Sequence, residues 1–373
     1  MARTGTEELR RRNRAALVEQ LHRHGPQTRA ELTEALGLNR STIGALAADL
    51  AESGHLHETT GRSTGSAGRP STLVECVPKA ATVTAVEIRA DRVRFALVGL
   101  GGEVLERAET ELDGADPVEA VAVVTGGSAR DALESVAAVP GLVDAGVVAH
   151  STELGWAGRD LAADLATATG RTWQVVDTAT AAAVGEWSRG DAHESVKLLY
   201  LHGGRGLTAG LVAEGRAQRG GSIQLGHIVV QPGGHECGCG LRGCLEAEME
   251  VFGYAEDIEH ATLAAGMGDA AARDGLRRSG EDLGRALGAV VTATGPDEIL
   301  FGGWLRELYL SAAAPVRSAL AETTLPHLRS RLRLRTPVLA DEGPSSERRR
   351  RGSQRSSTAC AERADGWPAR TRT

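Results

Sequence analysis

Between Gly226 and Glu246 the chain reads Gly-His-Ile-Val-Val-Gln-Pro-Gly-Gly-His-Glu-Cys-Gly-Cys-Gly-Leu-Arg-Gly-Cys-Leu-Glu. Cys237, Cys239 and Cys244 sit in a glycine-rich loop, with a histidine upstream and Glu246 at the start of a helix pattern. Three thiolates and one imidazole are the donor set of a closed tetrahedral zinc site. The Cys-Gly-Cys spacing is too tight for an easy disulfide, so the competing reading is three unligated thiols. Two histidines can complete the set. His235 is nearer in sequence, whereas His227 closes an apolar run that would fix its ring, and this favours His227.

Such a loop needs a framework, and 373 residues are enough for two or three domains. Aromatic residues make up 3% of the chain, and Lys79 and Lys197 are its only lysines against many arginines. The net charge is −7, which excludes a generally basic nucleic-acid coat, so any DNA contact must come from a local surface. No apolar run approaches the ~18 residues of a membrane span. The arginine-rich start, Met1 to Arg12, lacks the apolar core of a signal peptide. A cytoplasmic protein is expected, where reduced thiols suit a metal.

Residues 1–79 read as three short helices and a hairpin. Leu17, Val18 and Leu21 form one apolar stripe, stopped by Gly25-Pro26. Thr28-Arg-Ala-Glu31 is a capping box for a second helix with Leu32 and Leu36 inward. After Gly37, a third helix from about Asn39 places Ile43, Leu46 and Leu50 on one face. This is a helix-turn-helix pattern whose outer face presents Arg40, Ser41, Thr42 and the small Ala45, groups suited to base edges and phosphates in a major groove. His55–Glu58 and Ser71–Cys76 are expected as wing strands, and Arg69, held in Gly68-Arg69-Pro70, can enter a minor groove or meet phosphate. An ordinary three-helix dimerisation element is the competing reading. The basic excess of this segment is slight, so tight DNA binding would need two such modules in a dimer.

From residue 80 to 340, strand-like and helical runs alternate. Ala81–Ile88 and Arg92–Leu100 form an opening hairpin, and Asp116–Ala138 contains an amphipathic helix pattern. Val143–Val148, Gln174–Val176, Lys197–Leu201 and Leu207–Val212 are expected strands. Helices are expected over Gly158–Thr169, about Ala247–Ala265 and Gly280–Ala293. The pattern is that of an α/β fold with two lobes around a cleft.

Several segments resemble the repressor, open reading frame, kinase (ROK) family, which joins bacterial sugar-responsive repressors with sugar kinases. They are Pro140-Gly-Leu-Val-Asp144, Leu154-Gly-Trp156, Asp177 to Glu186, Gly204-Arg-Gly-Leu-Thr-Ala-Gly210, the cysteine stretch, and Pro296-Asp-Glu-Ile-Leu-Phe-Gly-Gly303. The resemblance covers the helix-turn-helix with its Gly-Arg-Pro wing and the large domain to about Ala340. It implies a winged helix-turn-helix followed by a two-lobed actin-like ATPase fold. It also implies a sugar site between the lobes and zinc held by the histidine of Gly226-His227 with Cys237, Cys239 and Cys244.

The departures from the family pattern bear on activity. Where the kinases carry an Asp-Gly-Gly-Thr phosphate loop, this chain has Glu87-Ile-Arg-Ala-Asp91. Their Asn-Asp pair, with aspartate as general base, is Asp177-Thr178 here, and threonine cannot take the sugar proton near neutral pH. Their Gly-Thr-Gly loop is Gly204-Arg205-Gly206. In the sugar site Glu153 replaces an asparagine and Gln224 a glutamate, while His227 and Glu246 are retained; with Asp177, these are the candidate ligand contacts. The resulting expectation is a non-enzymatic, sugar-responsive regulator, a homodimer or homotetramer that meets operator DNA and a carbohydrate or sugar-phosphate effector. The rival expectations are a sugar kinase with an appended DNA module and a ligand-blind regulator. Residues 341–373, rich in Arg and Ser and without pattern, read as a disordered tail.

Overall fold

The computed structural model describes residues 2–60, 72–127, 131–218 and 223–339. The expected minor-groove contact Arg69, with its Gly68 and Pro70, lies outside the described residues, as does the tail beyond Leu339.

At the N-terminus, helices Ala2–His24, Arg29–Leu36 and Arg40–Glu52 close on a shared core of Leu17, Leu21, Leu32, Ile43, Leu46 and Leu50. The second and third helix starts have local causes. Thr28 and Glu31 exchange the two hydrogen bonds of a capping box (3.2 and 2.6 Å), and Gly37 takes the left-handed conformation that turns the chain (φ 63°). Asn39 Oδ1 then accepts the Thr42 N–H at 2.8 Å to start the third helix. Strands Leu56–Thr60 and Thr72–Cys76 pair antiparallel, and a two-residue strand, Gln27–Thr28, joins their outer edge. Arg29 ties the second helix to this sheet through both Glu58 oxygens, at 2.8 and 2.6 Å.

The rest of the chain builds two five-stranded sheets of the same topology. In the first, Thr82–Ile88, Arg92–Gly99 and Val104–Glu111 form an antiparallel meander, and Glu134–Val139 and Gln174–Asp177 add parallel on the other side of its first strand. In the second, Lys197–Gly203, Leu207–Ala213 and Arg216–Ala217 form the meander, and Glu298–Gly303 and Arg333–Arg335 add parallel. This duplicated mixed α/β arrangement is the actin-like architecture. Apolar faces fill each lobe, with Val86, Ile88, Phe95, Val139 and Leu161 in the first and Leu199, Leu201, Leu283, Leu287 and Phe301 in the second.

Several elements differ from the sequence reading. The exposed-edge strand Val104–Glu111 and the helix Leu305–Thr323 were not anticipated. The expected helix from Gly158 begins only at Leu161, because Trp156–Asp160 pairs as a strand with Val147–Ser151. The expected helix Ala247–Ala265 is two, Leu245–Glu250 and Tyr254–Gly266, parted by Gly253 at positive φ. The one expected from Gly280 starts at Ala270, capped by Asp269.

Helix Thr178–Arg189 leaves the last strand of the first sheet and packs on the second through Ala183, Val184, Leu198, Tyr200 and Val212. Its close approach depends on Gly210, where a Cβ would stand 2.5 Å from the backbone of Ala179 and Thr180. Gly210→Ala is therefore expected to destabilise the chain by about 1–3 kcal/mol. A thermal melt should show a midpoint lowered by about 5 °C, and an unchanged midpoint would contradict this packing.

Candidate ligand cleft and metal centre

The structure groups His227, Cys237, Cys239 and Cys244, whose ligand atoms all lie within 4.8 Å of one another. Cys239 Sγ is 3.7 Å from Cys244 Sγ, and Cys237 Sγ is 3.6 Å from His227 Nδ1. The chain positions them by short-range contacts. His227 ends the turn Leu225–His227, Cys244 precedes helix Leu245–Glu250, and the Leu241 carbonyl accepts the Cys237 N–H at 2.9 Å. His235 turns elsewhere: its N–H donates to Glu248 Oε1 (2.7 Å) and its Nδ1 lies 2.8 Å from Glu248 Oε2. Burial pushes the Cys237 thiol up and that of Cys244 up to about 12, whereas backbone contact at Leu241 draws Cys239 down. Three bare thiolates are thus disfavoured together, and a bound cation removes that penalty. This cluster can hold a metal ion.

The Gly204-Arg205-Gly206 loop is closed on itself by the Gly204 N–H to the Gly206 carbonyl (3.1 Å). Two carboxylates flank it. Glu246 Oε2 accepts the Leu207 N–H at 3.1 Å and lies 3.5 Å from where a Cβ on Gly206 would stand. Glu153 Oε2 lies 3.6 Å from the matching point on Gly204. Burial pushes the Glu246 carboxyl up, opposed by the Leu207 hydrogen bond and by the nearby His227 and His150. Glu153 has a side chain only 9% exposed, with Arg89 Nε 3.8 Å from its Oε1. The carboxylates come from opposite lobes.

Asp177 is buried at the start of helix Thr178–Arg189, where its Oδ1 accepts the Thr180 N–H at 2.8 Å. Burial pushes its carboxyl up, with that hydrogen bond opposing. Gln224 begins the turn that carries His227. One residue escaped the sequence reading: His202, at the end of strand Lys197–Gly203, is buried within electrostatic reach of Asp177. A lone histidine in an apolar strand carries no spacing signal that could have singled it out.

In the N-terminal unit, Arg40, Ser41 and Ala45 are exposed and Thr42 is half-buried, on the face of helix Arg40–Glu52 turned away from its buried Ile43, Leu46 and Leu50. Ser41 donates to Asn39 Oδ1 at 2.8 Å, so its hydroxyl oxygen remains an acceptor.

The family model described as "ROK family" matches residues 83–344. The chain belongs to the ROK family. Its curated relatives include the xylose repressor of Bacillus spizizenii, 22% identical over 360 residues, covering 89% of this chain and 92% of that protein. The DNA-binding transcriptional dual regulator NagC of Escherichia coli K12 is 25% identical over 367 residues and covers 88% of each chain. A glucokinase of Thermotoga maritima is 28% identical over 219 residues, covering 50% of this chain and 68% of the enzyme. Among solved structures, a ROK family transcriptional regulator described as a homolog of the E. coli MLC protein has a TM-score of 0.66 at 25% identity, over 87% of this chain and 92% of its own. The regulators therefore align along nearly the whole chain, and the glucokinase along half of it.

Arg89 stands in the turn between strands Thr82–Ile88 and Arg92–Gly99, where the resemblance places the first phosphate loop. Arg205 is exposed in the second. Thr178 opens the helix that Asp177 caps. No helix among the described residues is long and apolar enough to cross a membrane.

Proposed function

We propose that this ROK protein is a sugar-responsive, DNA-binding transcriptional regulator, a repressor, whose kinase-like domain senses a ligand without transferring phosphate. The observation that carries the reading is the outward face of helix Arg40–Glu52. Its Arg40, Ser41, Thr42 and Ala45 take no part in the buried core of a unit built as helix, glycine turn, helix and antiparallel hairpin. That arrangement supports reading the unit as a winged helix-turn-helix, with the exposed helix start available to the major groove. The full-length similarity to repressors supports it. Two modules on a homodimer or homotetramer would meet a palindromic operator. The chain would act in the cytoplasm, residues 1–79 reading DNA and 80–340 binding ligand, with Arg69 assigned to the minor groove.

The metal assigned to the cysteine cluster is zinc. A tetrahedron with Zn–S of about 2.3 Å and Zn–N of about 2.0–2.1 Å has S–S edges of about 3.8 Å and S–N edges of about 3.6 Å. Two of the six donor separations, 3.7 and 3.6 Å, match these edges, and all lie within 4.8 Å. His227 would bind through Nδ1, leaving Nε2 for a ligand hydroxyl, and Glu246 would accept a second one; Glu153, Asp177 and Gln224 complete the assigned contacts. Zinc would order this loop and take no part in a reaction.

A second reading, a sugar kinase with a DNA module, draws support from Asp177, a buried carboxylate one position from the general-base site. Its engagement as a helix cap and the threonine beside it favour the regulator. The purified chain is expected to retard a fragment of its own upstream region, one sugar of a panel is expected to weaken that complex, and a coupled ATP assay over the same panel should show no turnover. Absence of sequence preference at moderate salt would sink the regulator, and sugar-dependent ATP turnover would establish the kinase.

A further inference from the structure

His202 has no part in the contacts assigned above. It is 8% exposed, and its Nδ1 is sealed from solvent without a hydrogen-bond partner among the described residues. A buried N–H left in that position costs about 1–3 kcal/mol, and an unpartnered lone pair is the better tolerated of the two. Nε2 is therefore the better place for a ring proton, and it is the nitrogen that acts as donor. That nitrogen lies 3.4 Å from where a Cβ on Gly204 would stand, and Glu153 Oε2 lies 3.6 Å from the same point. A donor from one lobe and an acceptor from the other thus converge on bare glycine backbone, and any side chain at residue 204 would fill the space between them.

We propose that His202 and Glu153 form a hydroxyl-binding subsite over Gly204, and that the effector is an unphosphorylated carbohydrate. This rests on the reading of the cleft as a sugar site. A hydroxyl both donates and accepts, so one hydroxyl, or a vicinal pair, satisfies the Glu153 carboxylate and the His202 Nε2–H together. A phosphate only accepts near neutral pH, and here it would face the carboxylate of Glu153, whose side chain is 9% exposed, and the buried carboxylate of Asp177. Arg89 lies against Glu153 at 3.8 Å and Glu87 at 3.4 Å. Arg205 is exposed and makes no ion pair among the described residues, so it is the group through which a phosphate ester could still gain affinity.

Calorimetric titration of the full chain with glucose, mannose, galactose and xylose, and with the 6-phosphates of the three hexoses, tests the subsite. At least one free sugar is expected to bind, and its 6-phosphate at least tenfold more weakly. His202→Phe, which keeps the ring's bulk without the N–H, should weaken the free sugar tenfold or more. His202→Gln, which restores a donor, should recover part of that loss and guards against a folding defect in the phenylalanine variant. Tighter binding of a 6-phosphate than of its free sugar, or wild-type affinity in His202→Phe, overturns the subsite while leaving the sugar-sensor reading intact. If no member of either series binds, the sensor reading fails and the subsite with it.

Discussion

Cys244→Ser is expected to lose the metal and, with it, the ligand-binding domain's stability, while an isolated N-terminal unit would be untouched. Cys244 is fully buried and immediately precedes helix Leu245–Glu250, and the Leu245 N–H donates to the Ile228 carbonyl at 2.9 Å. Three further chain contacts return to the same loop: Val230 and Gln231 N–H groups to the Gly243 carbonyl, at 2.8 and 3.1 Å, and the Gly243 N–H to the His235 carbonyl at 2.8 Å. A metal joining His227 to the three cysteines would fasten both ends of this hairpin-like loop. Structural zinc contributes about 10–16 kcal/mol of binding free energy in small zinc-finger peptides. Even a third of that is several kcal/mol, which at ~2–4 °C per kcal/mol lowers the melting midpoint by about 10 °C or more. Loss of the loop also releases Glu246 from the Leu207 N–H, so ligand response should fall before folding fails completely. Cys239→Ser, at the exposed ligand, is expected to act in the same direction with a smaller stability loss, since its thiol sits in no core. Elemental analysis, a thermal melt and the sugar titration measure the three consequences. A serine variant that keeps one equivalent of zinc and the wild-type midpoint would remove the organising role assigned to the metal.

How much of this was legible in the chain depends on the range over which each feature is determined. The cysteine cluster spans few residues and its ligand spacing is a local property, so the donor set, His227 included, could be read from sequence; the structure adds the contact that turns His235 to Glu248. The boundaries of the second and third helices were equally local, since Thr28, Glu31, Gly37 and Asn39 each act within one turn of their own position. The duplicated sheet was not legible, because its order is set by pairings such as Leu198 with Glu298, a hundred residues apart. Strand Val104–Glu111 escaped because it lies at a sheet edge with charged residues along it, and helix Leu305–Thr323 because Pro315 interrupts its pattern. Glu153 and Glu246 were identified from the resemblance, but that they meet at one loop from opposite lobes follows only from the fold.

Removing the Arg23 side chain is expected to leave DNA binding in place and to uncouple it from ligand. Helix Thr178–Arg189 begins at Asp177 in the cleft and ends beside the N-terminal unit, where the Arg23 guanidinium lies 4.5 Å from the centre of the Trp187 ring. Trp187 is held firmly: its Nε1–H donates to the Ser195 carbonyl at 3.1 Å, and Gly215 packs against its ring. Beside this contact the Gly101 N–H donates to His22 Nδ1 at 3.0 Å, so two adjacent residues of helix Ala2–His24 rest on the large domain. One turn from Trp187's end of the helix, Glu186 accepts the backbone N–H groups of Val338 and Leu339, at 3.2 and 2.6 Å, which anchors the helix to the C-terminal segment as well. A single helix therefore runs from Asp177, a proposed ligand contact, to the N-terminal unit proposed to read DNA. If lobe closure shifts that helix, Arg23 and His22 transmit the shift to the spacing of the two recognition helices. A cation–π contact contributes about 0.5–2 kcal/mol, comparable with the 1–3 kcal/mol of a typical allosteric coupling. Arg23→Ala combined with His22→Ala should consequently reduce a roughly tenfold sugar-induced weakening of the DNA complex to about twofold or less, with sugar affinity itself unchanged. Gel retardation across a sugar titration reads this directly, and a double variant released from DNA at the same sugar concentration as the wild type would place the coupling in another part of the interface.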